Sequence, residues 1–81
     1  MGEGLKELLE VFARALVTRP DQVRVTQIED EEGILLELEV AEEDRGRVIG
    51  RRGRTADALR MVLDAVAERQ GTAPCDVEVM D

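Results

Sequence analysis

Val48-Ile49-Gly50-Arg51-Arg52-Gly53-Arg54-Thr55-Ala56 is the stretch around which the chain organises itself. Two glycines three residues apart allow a tight turn, and helical patterns lie on both sides of it. Glu42 to Ile49 reads as a short helix. Its first turn is acidic (Glu42, Glu43, Asp44) and its later residues are basic (Arg45, Arg47), which suits the helix macrodipole. Gly46 is costly inside a helix and reads as a close-packing position. Downstream, Ala56, Leu59, Leu63, Val66 and Ala67 form one stripe at helical spacing. A longer helix therefore runs to about Gln70, with Gly71 just past its end.

Upstream of the elbow the period changes from helical to alternating. Ile34, Leu36, Leu38 and Val40 face one way, while Leu35, Glu37 and Glu39 face the other, so this strand has one wet, acidic side. Asp30-Glu31-Glu32-Gly33 is a turn, and Gln22 to Glu29 precedes it as a strand with imperfect alternation (Val23, Val25, Ile28). Residues 3–18 carry Leu5, Leu8, Leu9, Phe12, Ala13, Leu16 and Val17 on one helical face, and Pro20 ends that helix. At the other end, Cys75 to Met80 alternates as a last strand, with Val77 and Val79 inward and Asp76 and Glu78 outward. The order is α-β-β-α-α-β. The expected architecture is an α+β layer fold in which three helices cover one face of a three-stranded sheet.

With 81 residues and 9.0 kDa, one domain spanning 1–81 is expected. A chain this small hides roughly 60–65% of its unfolded surface, enough for one core but not for a deep enclosed cavity. Apolar residues at 43% argue against disorder although 37% of the chain is charged. No apolar run approaches the roughly 20 residues of a membrane span. Met1 to Glu10 has neither the basic nor the apolar region of a secretory signal, so the expected location is the cytoplasm. A single cysteine, Cys75, allows no internal disulfide and reads as a small strand-end residue.

The missing residue types narrow the chemistry. The chain has no His, Ser, Asn, Trp or Tyr. A Ser–His–Asp triad, a Cys–His pair and His-bearing zinc sites are excluded. Cys75, Lys6 and four threonines lack a sequence-local activating partner, so no enzyme, cofactor or metal site is expected. One phenylalanine, Phe12, cannot form an aromatic platform for stacked bases. Ten arginines to one lysine, no Asn and few Gln suit either a heat-adapted source or a GC-rich genome.

Net charge is −8, yet it is unevenly spread. Residues 45–60 hold six arginines (Arg45, Arg47, Arg51, Arg52, Arg54, Arg60) against Asp57 alone, whereas the other 65 residues hold five basic and 18 acidic groups. The Gly-x-x-Gly elbow is the centre of that basic island. Its glycines remove side chains that would hold a phosphodiester at a distance. The helix starting near Gly53 offers free N–H groups and the positive end of its dipole. Arg51 and Arg52 at the tip can reach phosphate oxygens. The P-loop pattern is absent.

Val48-Ile49-Gly50-Arg51-Arg52-Gly53 resembles the VIGxxG core of KH domains, and the element order resembles the type II KH arrangement. Val40-Ala41-Glu42-Glu43-Asp44-Arg45-Gly46-Arg47, followed after the elbow by Ala56-Asp57-Ala58-Leu59-Arg60, is similar to the KhpA (YlqC) family of small bacterial single-KH-domain RNA-binding proteins, and the likeness covers nearly the whole chain. It implies a groove for about four nucleotides of single-stranded RNA. By resemblance, Gly50, Arg51, Arg52 and Gly53 clamp the backbone, Val48, Ile49 and Ala56 line an apolar floor, and Arg47, Arg54 and Arg60 supply flanking charge. Strand residues near Leu36 to Val40 form the other wall. Thr55 and Asp57 depart from the aliphatic and basic residues common there. The family also implies a homodimer, a heterodimer with a larger KhpB-like KH protein, and a role as post-transcriptional regulator or RNA chaperone. Met61 is a candidate for the dimer contact.

Two other readings compete with RNA binding. An acidic sheet face and negative net charge suit a KH-fold adaptor that binds protein and no RNA. Helix-turn-helix DNA binding through residues 42–69 would need Thr55, Asp57 and Arg60 among alanines to read base edges, a poor reading head.

Overall fold

The structure is a computed structural model that describes residues 3–72 and 74–81; Met1, Gly2 and Ala73 lie outside the described residues. Its elements are α1 (Leu5–Leu16), β1 (Arg24–Asp30), β2 (Gly33–Glu39), α2 (Arg45–Ile49), α3 (Arg54–Arg69) and β3 (Cys75–Val79). Short 3₁₀ turns at Pro20–Gln22, Glu42–Asp44 and Arg51–Gly53 join them. The α-β-β-α-α-β order expected from the sequence is present. The first strand starts at Arg24 rather than Gln22, because Pro20 with its fixed φ opens a 3₁₀ turn that takes up Asp21 and Gln22.

The three strands lie in sequence order, β1 antiparallel to β2 and β2 parallel to β3. The two-residue connection Glu31-Glu32 sets the register of the hairpin, from Asp30↔Gly33 to Arg24↔Glu39. The Asp30 carboxylate braces it by accepting the backbone N–H groups of Glu32 (2.8 Å) and Gly33 (3.1 Å). A parallel neighbour cannot be reached by a hairpin. The crossover from β2 to β3 is made by α2, the elbow and α3.

One face of the sheet is covered. Val25, Ile34, Leu36, Leu38, Cys75 and Val77 pack there against Leu5, Leu9 and Ala13 of α1, Val48 of α2, and Leu59, Leu63 and Ala67 of α3. Sealing a Leu of this kind contributes about 2 kcal/mol. The other face carries Glu37, Glu39, Asp76 and Glu78, the wet acidic side expected from the alternation. Ile28 lies on that outer face, opposite Leu35 in the register, which is why the β1 pattern looked irregular. Among the described residues, no helix is long and apolar enough to cross a membrane.

Asp44 is the buried charged residue of the core region, a position that its place in an acidic turn concealed. Oδ1 accepts the N–H (3.0 Å) and hydroxyl (2.9 Å) of Thr18, and Oδ2 accepts the N–H of Arg19 (3.1 Å). It thereby fixes the start of α2 to the segment leaving α1. Burial pushes its pKa up, but these hydrogen bonds and the Arg47 guanidinium (3.5 Å) outweigh that and hold it below the usual carboxylate value.

Candidate nucleic-acid interface

Helix α2 ends when the Gly50 N–H bonds the Gly46 carbonyl at 2.9 Å, and the chain then reverses through a single 3₁₀ turn closed by Gly53 N–H on Gly50 C=O (3.1 Å). Three of the four elbow residues have positive φ: Gly50 (77°), Arg52 (58°) and Gly53 (74°). For Arg52 this left-handed conformation costs about 1–2 kcal/mol.

The two glycines serve different ends. A Cβ on Gly50 would stand 2.7 Å from Thr55 Cβ and 2.8 Å from the Thr55 amide nitrogen. That glycine is therefore needed so that the elbow can fold back on the first turn of α3. A Cβ on Gly53 would meet nothing within 4 Å. Its bare Cα faces open space, the arrangement expected where another backbone can come close. Thr55, which departs from the KH pattern, is the residue that Gly50 is stripped to admit.

The basic island separates into two groups. Arg45 pairs with Glu42 (3.3 Å) and Asp81 (3.2 Å), Arg47 with Asp44 (3.5 Å), and Arg60 with Asp57 (2.8 Å) and Asp76 (3.3 Å). Arg51, Arg52 and Arg54 are exposed and make no ion pair among the described residues. The unneutralised charge thus coincides with the open part of the elbow. Among the described residues, no side chain caps the N-terminus of α3, a 16-residue helix whose dipole adds positive potential at the same point.

Of the apolar residues expected beneath the bases, Ile49 is 39% exposed, whereas Val48 and Ala56 are closed to solvent. Val48 and Ala56 hold the helices together under the elbow, and Ile49 presents the apolar surface. The other wall is expected near Leu36 to Val40. Leu36 and Leu38 are fully buried in the central strand, and the strand that borders α3 is β3. Arg60 reaches that border, donating from Nε to the Val77 carbonyl at 2.8 Å. That β3 borders α3 is not legible in the sequence, because strand order does not follow from alternation. Gly46 is also corrected: it is exposed, a Cβ there would meet nothing within 4 Å, and it packs closely against no neighbour.

Cys75 is buried at the start of β3. Burial, with Asp64 and Asp76 nearby, pushes its thiol up to about 11, leaving it a packing residue. Among the described residues, no group of His, Cys, Asp and Glu is arranged to hold a metal ion.

A mixed three-stranded sheet crossed over by two helices, joined through a Gly-x-x-Gly elbow, defines a KH domain in the type II order. The family model described as "KhpA/KhpB, KH domain" matches residues 6–79. The RNA-binding protein KhpA of Clostridium acetobutylicum is 48% identical over 66 residues, covering 82% of this chain and 88% of the relative. The protein of that name from Aquifex aeolicus is 45% identical over 67 residues, 83% of this chain and 85% of the relative. The one from Borreliella burgdorferi is 40% identical over 75 residues, 93% and 90% respectively. The chain belongs to the KhpA/KhpB KH-domain family.

Proposed function

We propose that this chain is a single KH domain that binds single-stranded RNA in the cytoplasm, gripping the sugar-phosphate chain at the Gly50–Gly53 elbow and acting as a post-transcriptional regulator or RNA chaperone rather than as an enzyme. The observation that carries the reading is the coincidence at one place of three unpaired arginines, an open Cα at Gly53 and the uncapped start of α3. Arg51, Arg52 and Arg54 meet phosphates, Gly50 and Gly53 shape the clamp, and Ile49 offers apolar contact to a base or sugar. Val48 and Ala56 support the elbow from beneath, with Arg47 and Arg60 at its flanks. Names of the relatives support RNA as the ligand.

The domain acts as a homodimer and pairs with a larger KhpB-like KH protein. Met61 (72% exposed) and the neighbouring exposed Val62 on α3 supply apolar surface for such contacts. Titration of a labelled single-stranded RNA with wild-type protein and with Arg51→Asp plus Arg52→Asp tests the clamp. Binding is lost in the double variant if the reading holds; equal binding removes it. Purification with a partner protein and no RNA would move the assignment to a protein adaptor, for which the acidic outer face of the sheet is suited.

A further inference from the structure

An edge strand leaves a row of backbone groups unpaired, and in β3 part of that row has been closed from within. Pro74 C=O accepts the Ile34 N–H, and Met80 N–H donates to Leu38 C=O, both at 2.8 Å. By the alternation of a parallel ladder, Cys75, Val77 and Val79 turn their peptide groups outward. Asp64 Oδ1 then accepts the Cys75 N–H (3.1 Å), Asp76 Oδ1 accepts the Val77 N–H (2.8 Å), and Arg60 Nε donates to the Val77 C=O (2.8 Å). The Arg60 guanidinium is held in place on both sides by Asp57 and Asp76. Val79 has no such side-chain partner among the described residues. It lies at the end of the strand beside α2, where Arg45 reaches Asp81.

Val79, with neither group capped, lies nearest the elbow; Val77, with both groups capped, and Cys75, with its N–H capped, lie farther along α3. A peptide group on an open edge offers one donor and one acceptor, the pair of functions that a nucleobase edge can match. We propose that Arg60 is a specificity-determining latch. It withholds the Val77 carbonyl, an acceptor for nucleobase N–H donors, while Asp76 keeps the Val77 N–H, so the groove holds RNA with little regard to base. This rests on the RNA-binding reading above and gives it a structural cause for base tolerance.

The test compares labelled octamers of A, of C and of U on wild-type protein, on Arg60→Met, and on Asp57→Asn combined with Asp76→Asn. Methionine keeps the length of the side chain without its donors. The asparagine pair leaves Arg60 in place but removes the charges that hold it, and a side-chain oxygen remains at position 76 for the Val77 N–H. Wild-type affinities are expected within about threefold of one another, and the spread in each variant to rise to about tenfold, the scale of one matched or mismatched hydrogen bond to a base. A wild-type spread of about tenfold or more, or an unchanged spread in both variants, overturns the latch while leaving RNA binding intact. Failure of the wild type to bind any octamer overturns the RNA-binding reading and the latch with it.

Discussion

The Cα of Gly50 rests against Thr55, so close that a methyl group added there would lie 2.8 Å from the Thr55 amide nitrogen. Gly50→Ala is therefore expected to destabilise the domain by about 2–3 kcal/mol, from overpacking together with a positive φ. Thermal melts should show at most partial rescue by Thr55→Ala, because the hydroxyl contact goes while the backbone nitrogen and Cβ remain. Gly53→Ala meets open space and carries only the conformational cost of about 1 kcal/mol, so it should melt a few degrees below wild type, well above Gly50→Ala, while weakening RNA binding.

Arg51, Arg52 and Arg54, without an ion pair among the described residues, are expected to set the salt dependence of RNA binding. If each neutralises one phosphate of a single strand, log K against log salt has a slope of about −2. Arg51→Ala plus Arg52→Ala should bring the slope to about −0.7. Fluorescence anisotropy titrations across a range of salt concentrations read both values. A double variant that keeps the wild-type slope would place the phosphate contacts elsewhere.

Asp44 makes stability depend on pH. Its folded pKa lies below the ordinary 3.8, so the stabilisation is complete above that value and is lost as pH falls through the folded pKa. Asp44→Asn cannot ionise. The melting-temperature gap between wild type and this variant should be largest near neutral pH and shrink toward pH 3 or below. A gap that stays constant with pH would show that the charge of Asp44 contributes nothing.

Cys75, with its thiol pushed up to about 11, should resist a thiol reagent at pH 8 in the native protein and react at once in denaturant. Native labelling as fast as that of a free thiol would show that the start of β3 opens readily.

Gly46 lies in open space on α2. Gly46→Ala should stabilise by about 0.5 kcal/mol, by reducing the freedom of the unfolded chain. A small rise in melting temperature would confirm it, and a fall would restore the close-packing role that its position in a helix suggested.

Much of the fold was legible because periodicity reports burial directly. Leu5, Leu9 and Ala13 on α1, Leu36 and Leu38 on β2, and Leu59, Leu63 and Ala67 on α3 are core positions in both sequence and structure. Hidden properties were those set by partners distant in the chain. Asp44 looks like a helix-start acid until Thr18, 26 residues away, is seen donating to it. Ile28 breaks the alternation of β1 because its company is Leu35 on the outer face. At the elbow, the spacing of Gly50 and Gly53 marked the turn, but it could not tell which glycine serves packing and which leaves space. Six arginines within 16 residues looked like one island; the ion pairs of Arg45, Arg47 and Arg60 appear only when Glu42, Asp44, Asp57, Asp76 and Asp81 are placed around them.

The separation of the acidic outer sheet face from the arginine elbow makes the domain electrically two-sided. In the field of a polyanion such a body experiences a torque as well as a force. It turns its elbow forward before contact, and arrivals that lead with Glu37, Glu39 and Glu78 are repelled. With the elbow as the proposed clamp, encounters are pre-aligned, and the acidic back offers a second strand no foothold.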